Sequence, residues 1–293
     1  MVDKRWNFRP INVIRYYHQE EGKVVGLCSF PLFGDAMTVI KHNLGDFKDI
    51  HILPLADLHL GDIHADFKRI QSWIEYIQTN ENVFCILNGD LMDAAIQSSI
   101  GDTYGASLQP MEQLRQCVKL FEPIKDKILA VLPGNHELRI YKTDGLDLTE
   151  VMCSQLGIVD RYSSASALLF IRFGQNTSHN HNRLITYTLY CVHGSGGGKK
   201  EASKVQRLID LASIVDSDIY LHSHTHLPAI AKNSYYRTSI TTSSVQKVDR
   251  LFVNTSSALG WGGYGELQSY KPNSLDTPVI HLDGRQKRAT ATL

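Results

Sequence analysis

Apolar and polar positions follow two rhythms along the chain, and the changes between them mark the predicted strands and helices. The apolar run IHILPLA predicts a buried strand at 50–56. Apolar residues then recur at helical spacing over 66–79, which predicts an amphipathic helix. Strands at 83–87 and 127–132 repeat the pattern, with a helix over 111–124 between them. Strand–helix–strand units of this length are typical of parallel neighbours in a layered sheet.

The second half of the chain shows a different order of elements. Apolar runs at 167–173 and 183–192 flank the polar segment GQNTSHNHN, which predicts a hairpin with a long polar loop. A helix over 201–213 and a strand over 218–222 follow, and further strands are predicted beyond residue 229. The pattern as a whole gives the fold class α/β (α+β).

One main domain is expected. The runs INVIRYY and KVVGLCSF predict a hairpin, so we expect residues 1–50 to be a strand/hairpin extension packed on the core. Residues 51–293 contain no internal repeat and no linker rich in Pro, Gly or Ser, so we expect a single domain there.

Composition narrows the class of protein. Hydrophobic residues make up 43% and charged residues 20%, as in ordinary globular proteins. No apolar run approaches the roughly 20 residues of a membrane span, and the N-terminus lacks a signal-peptide core, so we expect a cytoplasmic protein without a membrane partner. The net charge of zero argues against a protein dedicated to binding duplex nucleic acid, since such proteins usually carry an excess of basic residues. Cys85 and Cys191 lie in apolar runs, which predicts small buried hydrophobes.

Polar residues with metal-binding chemistry follow five of the predicted strands. They are Asp57 and His59, Asp90 and Asp93, Asn135 and His136, His193, and His224 and His226. In open α/β sheets, ligands bind outside the carboxyl ends of strands. Carboxylate, imidazole and amide oxygen suit borderline divalent ions, and there are too many candidates for one tetrahedral zinc. Two ions that share a carboxylate would use them all, an arrangement that acts on phosphoryl centres.

Taken in order, these motifs resemble the calcineurin-like metallophosphoesterase superfamily. The motifs are D-L-H at 57–59, G-D-x-x-D at 89–93, G-N-H-E at 134–137, H-G at 193–194 and H-x-H at 224–226. The match therefore spans more than half of the chain. The resemblance implies a β-sandwich flanked by helices, with a two-metal site at the strand ends.

The resemblance also implies which residues hold the metals. The first ion would be held by Asp57, His59 and His226, the second by Asn135, His193 and His224, with Asp90 bridging them. Manganese is the favoured ion, with iron, zinc or nickel as alternatives. A metal-bridging hydroxide would attack phosphorus, since coordination lowers the pKa of water to about 7.

Two further residues have implied catalytic roles. His136 would lie beside the phosphoryl group, stabilising charge or protonating the leaving oxygen. Asp93 would orient His136 or a ligand, although Asp is also favoured at helix starts. The role of Glu137 stays open.

Several segments have two interpretations. Lys199 and Lys200, in the Gly-rich stretch HGSGGGKK, would suit a substrate phosphate or belong to a flexible connector. Trp261 and Tyr264 would stack on a base or simply pack. The His-x-His pair at 178–182 is expected to be a solvated loop. His222 falls outside the family pattern G-H-x-H and is expected to support the site or the core rather than bind metal.

The predicted function is a two-metal-dependent phosphoester hydrolase, either a phosphodiesterase or a nuclease. The substrate would be a phosphoester, with a nucleotide or single-stranded nucleic acid favoured. One alternative is a Ser/Thr phosphoprotein phosphatase, but Ala94 stands where that class carries arginine after G-D-x-x-D. The other alternative is a non-catalytic scaffold with the same fold.

Overall fold

The computed structural model describes most of the chain. The described residues are 15–20, 23–29, 37–45, 47–95, 107–174, 184–196, 198–262, 266, 269–272 and 274–293. The chain divides into an N-terminal unit, Met1–Met37, and a main unit, Thr38–Leu293. In the N-terminal unit, β1 (Arg15–Glu20) pairs antiparallel with β2 (Lys23–Ser29), as the sequence predicts.

The main unit contains the remaining strands and five α-helices in its described residues. In chain order they are β3 (Thr38–Asn43), β4 (Asp49–Leu55), α1 (Phe67–Thr79), β5 (Val83–Asn88), α2 (Pro110–Phe121), β6 (Ile128–Leu132), α3 (Glu137–Asp144), α4 (Leu148–Leu156), β7 (Ser166–Phe173), β8 (Ile185–Val192), α5 (Glu201–Asp210), β9 (Ile219–His222), β10 (Ala229–Ser239), β11 (Ser244–Asn254), β12 (Val279–Asp283) and β13 (Ala289–Thr292). The main unit thus includes β3 and the start of β4, which the sequence analysis grouped with the extension.

A five-stranded sheet carries the first three site motifs. Its order is β13-β12-β4-β5-β6. The strands β4, β5 and β6 are parallel, which confirms the prediction from their spacing. Their carboxyl ends therefore lie at one edge of the sheet.

A six-stranded sheet, in the order β10-β11-β9-β8-β7-β3, carries the other motifs. The antiparallel pair β7 and β8 confirms the predicted hairpin, while its loop and the histidines at 178–182 lie outside the described residues. The strands β8, β9 and β11 are parallel, so their carboxyl ends also share an edge.

The two sheets face each other across one apolar core, because alternate residues of a strand point to opposite faces. In β5, Phe84 and Ile86 pack with Leu189 and Leu221 of the six-stranded sheet. The intervening Cys85 and Leu87 pack with the helices on the other face. Cys85 and Cys191 are buried free thiols, as predicted. The fold is therefore the β-sandwich flanked by helices that the resemblance implies.

The helices differ from the sequence prediction mainly at their ends. Asp66 caps α1 by accepting a hydrogen bond from the Arg69 amide at 3.0 Å, so the helix begins one residue later than predicted. The predicted helix 111–124 ends as an α-helix at Phe121 and continues as a 3₁₀ helix over Glu122–Lys127. The short helices α3 and α4 were not predicted. In the described part of the chain, the helices fall short of the length and apolar character that crossing a bilayer requires.

Candidate metal centre

Three groups of metal-ligating side chains meet at the carboxyl ends of strands from both sheets. The groups are Asp57 with His59 and His226, His59 with Asp90 and His136, and Asp90 with His193 and His224. Within each group the ligand atoms all lie within 4.8 Å of one another. Because the groups share His59 and Asp90, they form one continuous cluster, which we call the ligand cluster. It contains every predicted ligand except Asn135.

Five of the predicted ligands adopt a left-handed backbone conformation. Their φ angles are 53° for Asp57, 47° for His59, 51° for Asp90, 65° for His224 and 54° for His226. Such angles cost of order 1–3 kcal/mol for a residue with a side chain and persist only where the surroundings enforce them. Backbone hydrogen bonds supply part of that constraint. The Asp57 amide donates to Gly89 O and the His59 amide to Asp90 O, both at 3.0 Å.

Asp57 lies at the centre of the first half of the cluster. Its Oδ1 is 3.1 Å from His226 Nε2, and its Oδ2 accepts a hydrogen bond from the His224 amide at 3.1 Å. The carboxylate is fully buried. Asp57 thereby connects the loop after β4 to the His224–His226 loop of the other sheet.

Asp90 organises the second half of the cluster. Its Oδ2 is 3.2 Å from His193 Nε2, and its Oδ1 accepts from the His136 amide at 2.8 Å. The His193 ring is oriented because Nδ1 lies 2.7 Å from Asn88 O, which leaves Nε2 facing the site. Asn135 lies beside the same ring, with its Oδ1 3.4 Å from His193 Nε2.

The electrostatics distinguish two kinds of histidine in the cluster. Burial lowers the pKa of His59 to about 3 and that of His224 to about 4, so both rings are neutral near pH 7. Burial would also lower the pKa of His193, but the Asp90 carboxylate raises it to about 10. His193 and Asp90 therefore form an ion pair, in which a divalent cation would take the place of the proton.

Unpartnered nitrogen atoms show that this donor set fits metal ions. Among the described residues, neither ring nitrogen of the buried His59 has a hydrogen-bond partner, and the same holds for His224 Nδ1. Buried polar atoms are almost always paired, and neutral imidazole is the form that binds metal. Two buried carboxylates beside several neutral or exchangeable imidazoles are the ligands that borderline divalent ions prefer.

His136 and Asp93 lie together at the side of the cluster. His136 Nδ1 is 2.7 Å from Asp93 O and 3.2 Å from Asp93 Oδ1. The His136 ring also lies edge-on to that of His59, with centroids 4.4 Å apart. Burial would lower the pKa of His136, but Asp93 and Asp90 raise it. Asp93 is therefore placed to orient His136, the first of the two expected roles.

Glu137, whose role the sequence left open, ties two ligand loops together. Its buried carboxylate accepts hydrogen bonds from the amides of Asp90 at 3.1 Å, Met92 at 2.9 Å and Gly134 at 2.8 Å. One side chain thus holds the backbone of the loops that follow β5 and β6.

Asn254 supports the histidine loop and was missed in the sequence. Its Oδ1 lies 2.7 Å from His222 Nδ1, and its Nδ2 donates to Thr225 Oγ1 at 2.8 Å and Leu227 O at 2.6 Å. The feature that could have identified Asn254 is its position at the carboxyl end of β11, the strand beside β9. His222 is buried against Asn254 and lies outside the three ligand groups of the described residues.

Ser223, which stands where the family pattern has glycine, is also part of this support. Its hydroxyl accepts a hydrogen bond from Asn88 Nδ2 at 2.6 Å, and its side chain is buried. The serine side chain is thus accommodated as a link between the loop ends of β5 and β9.

The lysines expected to bind substrate lie at the start of α5. Lys199 and Lys200 are exposed; Lys199 Nζ lies 5.6 Å from the Tyr270 ring centroid, and Lys200 is the N-cap residue of α5. Two other cations of α5 contact the ligand loops instead. Lys204 Nζ donates to Thr225 O at 2.9 Å, and Arg207 donates to the carbonyls of Ser195 and Gly196.

Trp261 lies on the surface with 53% of its area exposed, and its indole N–H donates to Tyr270 O at 3.0 Å. Tyr264, the second residue of the expected stacking pair, lies outside the described residues.

Comparisons with known proteins give one family match and several distant structural likenesses. A family model, calcineurin-like phosphoesterase, matches residues 58–251. No curated protein sequence matches the chain. Solved structures with some likeness include a predicted phosphoesterase from Streptococcus pneumoniae, at 14% identity and a TM-score of 0.34, covering 84% of this chain and 90% of that one.

Two others are vacuolar protein sorting 29 proteins. The protein from Cryptosporidium parvum is 13% identical with a TM-score of 0.33, covering 84% of this chain and 97% of that one. The protein from Entamoeba histolytica, complexed with Zn²⁺, is 11% identical with a TM-score of 0.34, covering 83% and 97%.

The family match spans more than half of the chain and includes every residue of the ligand cluster except Asp57, which directly precedes the matched range. This protein therefore belongs to the calcineurin-like phosphoesterase family, whose members bind divalent metals.

Proposed function

We propose that this chain is a two-metal-dependent phosphoester hydrolase that acts as a phosphodiesterase or nuclease. The observation that carries the proposal is the pair of ligand groups at one edge of the sandwich. Asp57, His59 and His226 would hold one ion, and Asp90, His193 and His224 would hold the other. Asn135 would complete the second group, and Asp90 would serve both.

Each side chain has a distinct part in this chemistry. When bound, two divalent ions lower the pKa of water and polarise the phosphoryl oxygens. The carboxylates of Asp57 and Asp90 neutralise the positive charge, while His59 and His224 offer neutral nitrogens. His136, held by Asp93, lies close enough to the cluster to contact a phosphoryl oxygen or to give a proton to the leaving oxygen.

Metal analysis combined with a diesterase assay tests the proposal. Purified protein should bind about two divalent ions per chain and should hydrolyse bis-p-nitrophenyl phosphate when Mn²⁺ is added. Comparing Mn²⁺ with Fe²⁺, Zn²⁺ and Ni²⁺ in the same assay identifies the preferred ion. Absence of both metal binding and Mn²⁺-dependent turnover would contradict the proposal and favour the scaffold alternative.

An exposed aromatic group supports a nucleotide-containing substrate. Trp261 and Tyr270 lie together on the surface, and Lys199 lies near the Tyr270 ring. The Ala258 amide donates to Asp57 O at 3.0 Å, and Trp261 follows only three residues later, at most about 11 Å along the chain. Aromatic rings beside cations bind a base by stacking and a phosphate by charge.

Binding measurements test this substrate class separately from turnover. Calorimetry should show that a non-hydrolysable dinucleotide binds the wild-type protein, and Trp261→Ala should weaken this binding about tenfold. Trp261→Phe, which keeps an aromatic ring, should retain most of the affinity. Dinucleotide binding that is equal in all three proteins would contradict the stacking role. A panel of single-stranded DNA, RNA, cyclic nucleotides and phosphopeptides then separates the diesterase from the phosphatase alternative.

A double substitution tests the two lysines proposed to bind substrate. Lys199→Ala with Lys200→Ala should raise KM for the best substrate of the panel while leaving the metal content unchanged, since neither side chain belongs to the ligand cluster. An unchanged KM would show that these lysines only connect β8 to α5.

A further inference from the structure

The guanidinium of Arg139 lies against His136, which belongs to the central ligand group. Arg139 Nη2 is 2.9 Å from His136 Nε2, and His136 Nε2 is itself 3.9 Å from Asp90 Oδ2. Both residues come from the start of α3, where His136 is the N-cap residue and Arg139 follows one turn later. The cation is therefore separated from the Asp90 carboxylate by a single imidazole ring.

The hydrogen-bond roles at His136 follow from its neighbours. A guanidinium group only donates hydrogen bonds, so Nε2 of His136 accepts from Arg139. The opposite nitrogen, Nδ1, faces two acceptor oxygens of Asp93 and therefore carries the proton. Hydrogen bonds from a guanidinium to anionic oxygens are considerably stronger than those to an imidazole nitrogen.

We propose that Arg139 is a substrate-binding residue whose guanidinium binds a non-bridging oxygen of the phosphoryl group at the metal centre. The inference rests on the proposed hydrolase function. A phosphoryl group beside His136 would present anionic oxygens next to a guanidinium that lies 2.9 Å from the same ring, and charge-assisted hydrogen bonds of this kind are the strong ones. Lys204 and Arg207 hold backbone carbonyls of the ligand loops instead. Arg139 lies on α3, with its side chain partly exposed.

Calorimetry of the Mn²⁺-loaded protein with inorganic phosphate tests the assignment directly. Arg139→Ala should weaken phosphate binding by about 10- to 100-fold, the range for a hydrogen bond to a charged group. Arg139→Lys, which keeps the charge without the planar fork, should recover only part of the loss. Lys142→Ala removes an exposed cation from the same helix and should bind phosphate like the wild type. The metal content should be equal in all four proteins.

A second substitution separates direct binding from an effect through His136. In a His136→Ala background, Arg139→Ala should still weaken phosphate binding, and added methylguanidinium should restore part of it. No further loss in that background would show that Arg139 only positions His136, and unchanged affinity in the single variant would overturn the assignment outright. A wild-type protein that does not bind phosphate would also overturn the assignment.

The calorimetric readout is independent of turnover. If the metal-loaded protein binds phosphate through Arg139 but does not hydrolyse diesters, the proposed function fails and the binding assignment stands. If it hydrolyses diesters and Arg139→Ala leaves phosphate affinity unchanged, the binding assignment fails alone.

Discussion

At the scale of single residues, the site depends on side chains that bind no metal. Glu137 is the strongest case, because its buried carboxylate accepts three backbone N–H groups from the loops that present Asp90 and Asn135. An amide side chain cannot replace this carboxylate, because its NH₂ group is a donor and would face a backbone N–H group, which is also a donor. The strained φ angle of Asp90 depends on this support.

Glu137→Gln is therefore expected to lower the free energy of unfolding by about 1–3 kcal/mol, the cost of leaving buried donors unpaired. Urea denaturation of the metal-free protein measures this without interference from the metals. Glu122→Gln removes an exposed carboxylate that pairs with the surface Lys125 at 2.7 Å, and it should change the free energy of unfolding by less than about 0.5 kcal/mol. Equal effects of the two changes would contradict the role given to Glu137.

Asp90 and His136 should differ in what their loss removes. Asp90→Asn takes away the carboxylate common to two ligand groups, so both metal content and turnover should fall. His136→Ala should lower kcat by about 100- to 10,000-fold, the usual contribution of a positioned acid or base, while the metal content stays near that of the wild type. Metal analysis beside the diesterase assay checks both. Equal metal loss in the two variants would make His136 a ligand instead.

At the scale of elements, α5 fixes the two loops that come from the six-stranded sheet. Lys204 and Arg207 are one turn apart on the helix, and they donate to backbone carbonyls of the His224–His226 loop and of the segment after His193. The helix thereby sets the spacing between ligands that come from β8 and β9.

Lys204→Met keeps the apolar stem of the side chain but removes the hydrogen bond to Thr225 O. We expect the affinity for the metal ions to fall about tenfold, as is usual when a group that orients ligands is lost. Titration with Mn²⁺ measures this affinity. Gln206→Ala, on the exposed side of the same helix, should leave it unchanged, and an equal loss in both variants would point to a general destabilisation of α5.

The elements show how far sequence reasoning reaches. The parallel strands and the candidate ligands at their ends were predicted, because apolar runs and the polar residues that follow them are local signals. The helix α4 was missed although Asp147 caps its start and Gly157, at a φ of 72°, ends it. Its nine residues are too few for apolar periodicity to stand out. Asn254 and Lys204 were missed because their partners lie 27 and 21 positions away in the chain.

At the scale of the whole molecule, the site depends on how the two sheets pack against each other, since Asp57 and His226 come from different sheets. His42 on β3 helps to hold the two sheets together at one edge of each sheet. Its Nε2 lies 2.7 Å from the backbone carbonyl of Leu129 on β6, so one hydrogen bond joins the edge strands of both sheets. No local pattern in the sequence indicates this contact.

Burial lowers the pKa of His42 below its ordinary value of 6.5, and Arg161 nearby lowers it further, against an opposing effect of Leu129 O and Asp160. The unfolded chain therefore binds a proton at a higher pH than the folded chain does. The stabilising contribution of neutral His42 is present above pH 6.5 and is lost as the pH falls towards its folded pKa.

His42→Gln should keep a donor near Leu129 O but remove the titration. We expect the variant to lose about 1 kcal/mol or less at pH 8, and its free energy of unfolding to fall less between pH 7.5 and pH 5.5 than that of the wild type. Urea denaturation of the metal-free proteins at both pH values provides the comparison. Both proteins keep all other histidines, whose contributions cancel in the difference. Parallel pH dependence in the two proteins would contradict the role of His42, whereas a shallower slope in the variant would identify this contact as an acid-sensitive link between the sheets.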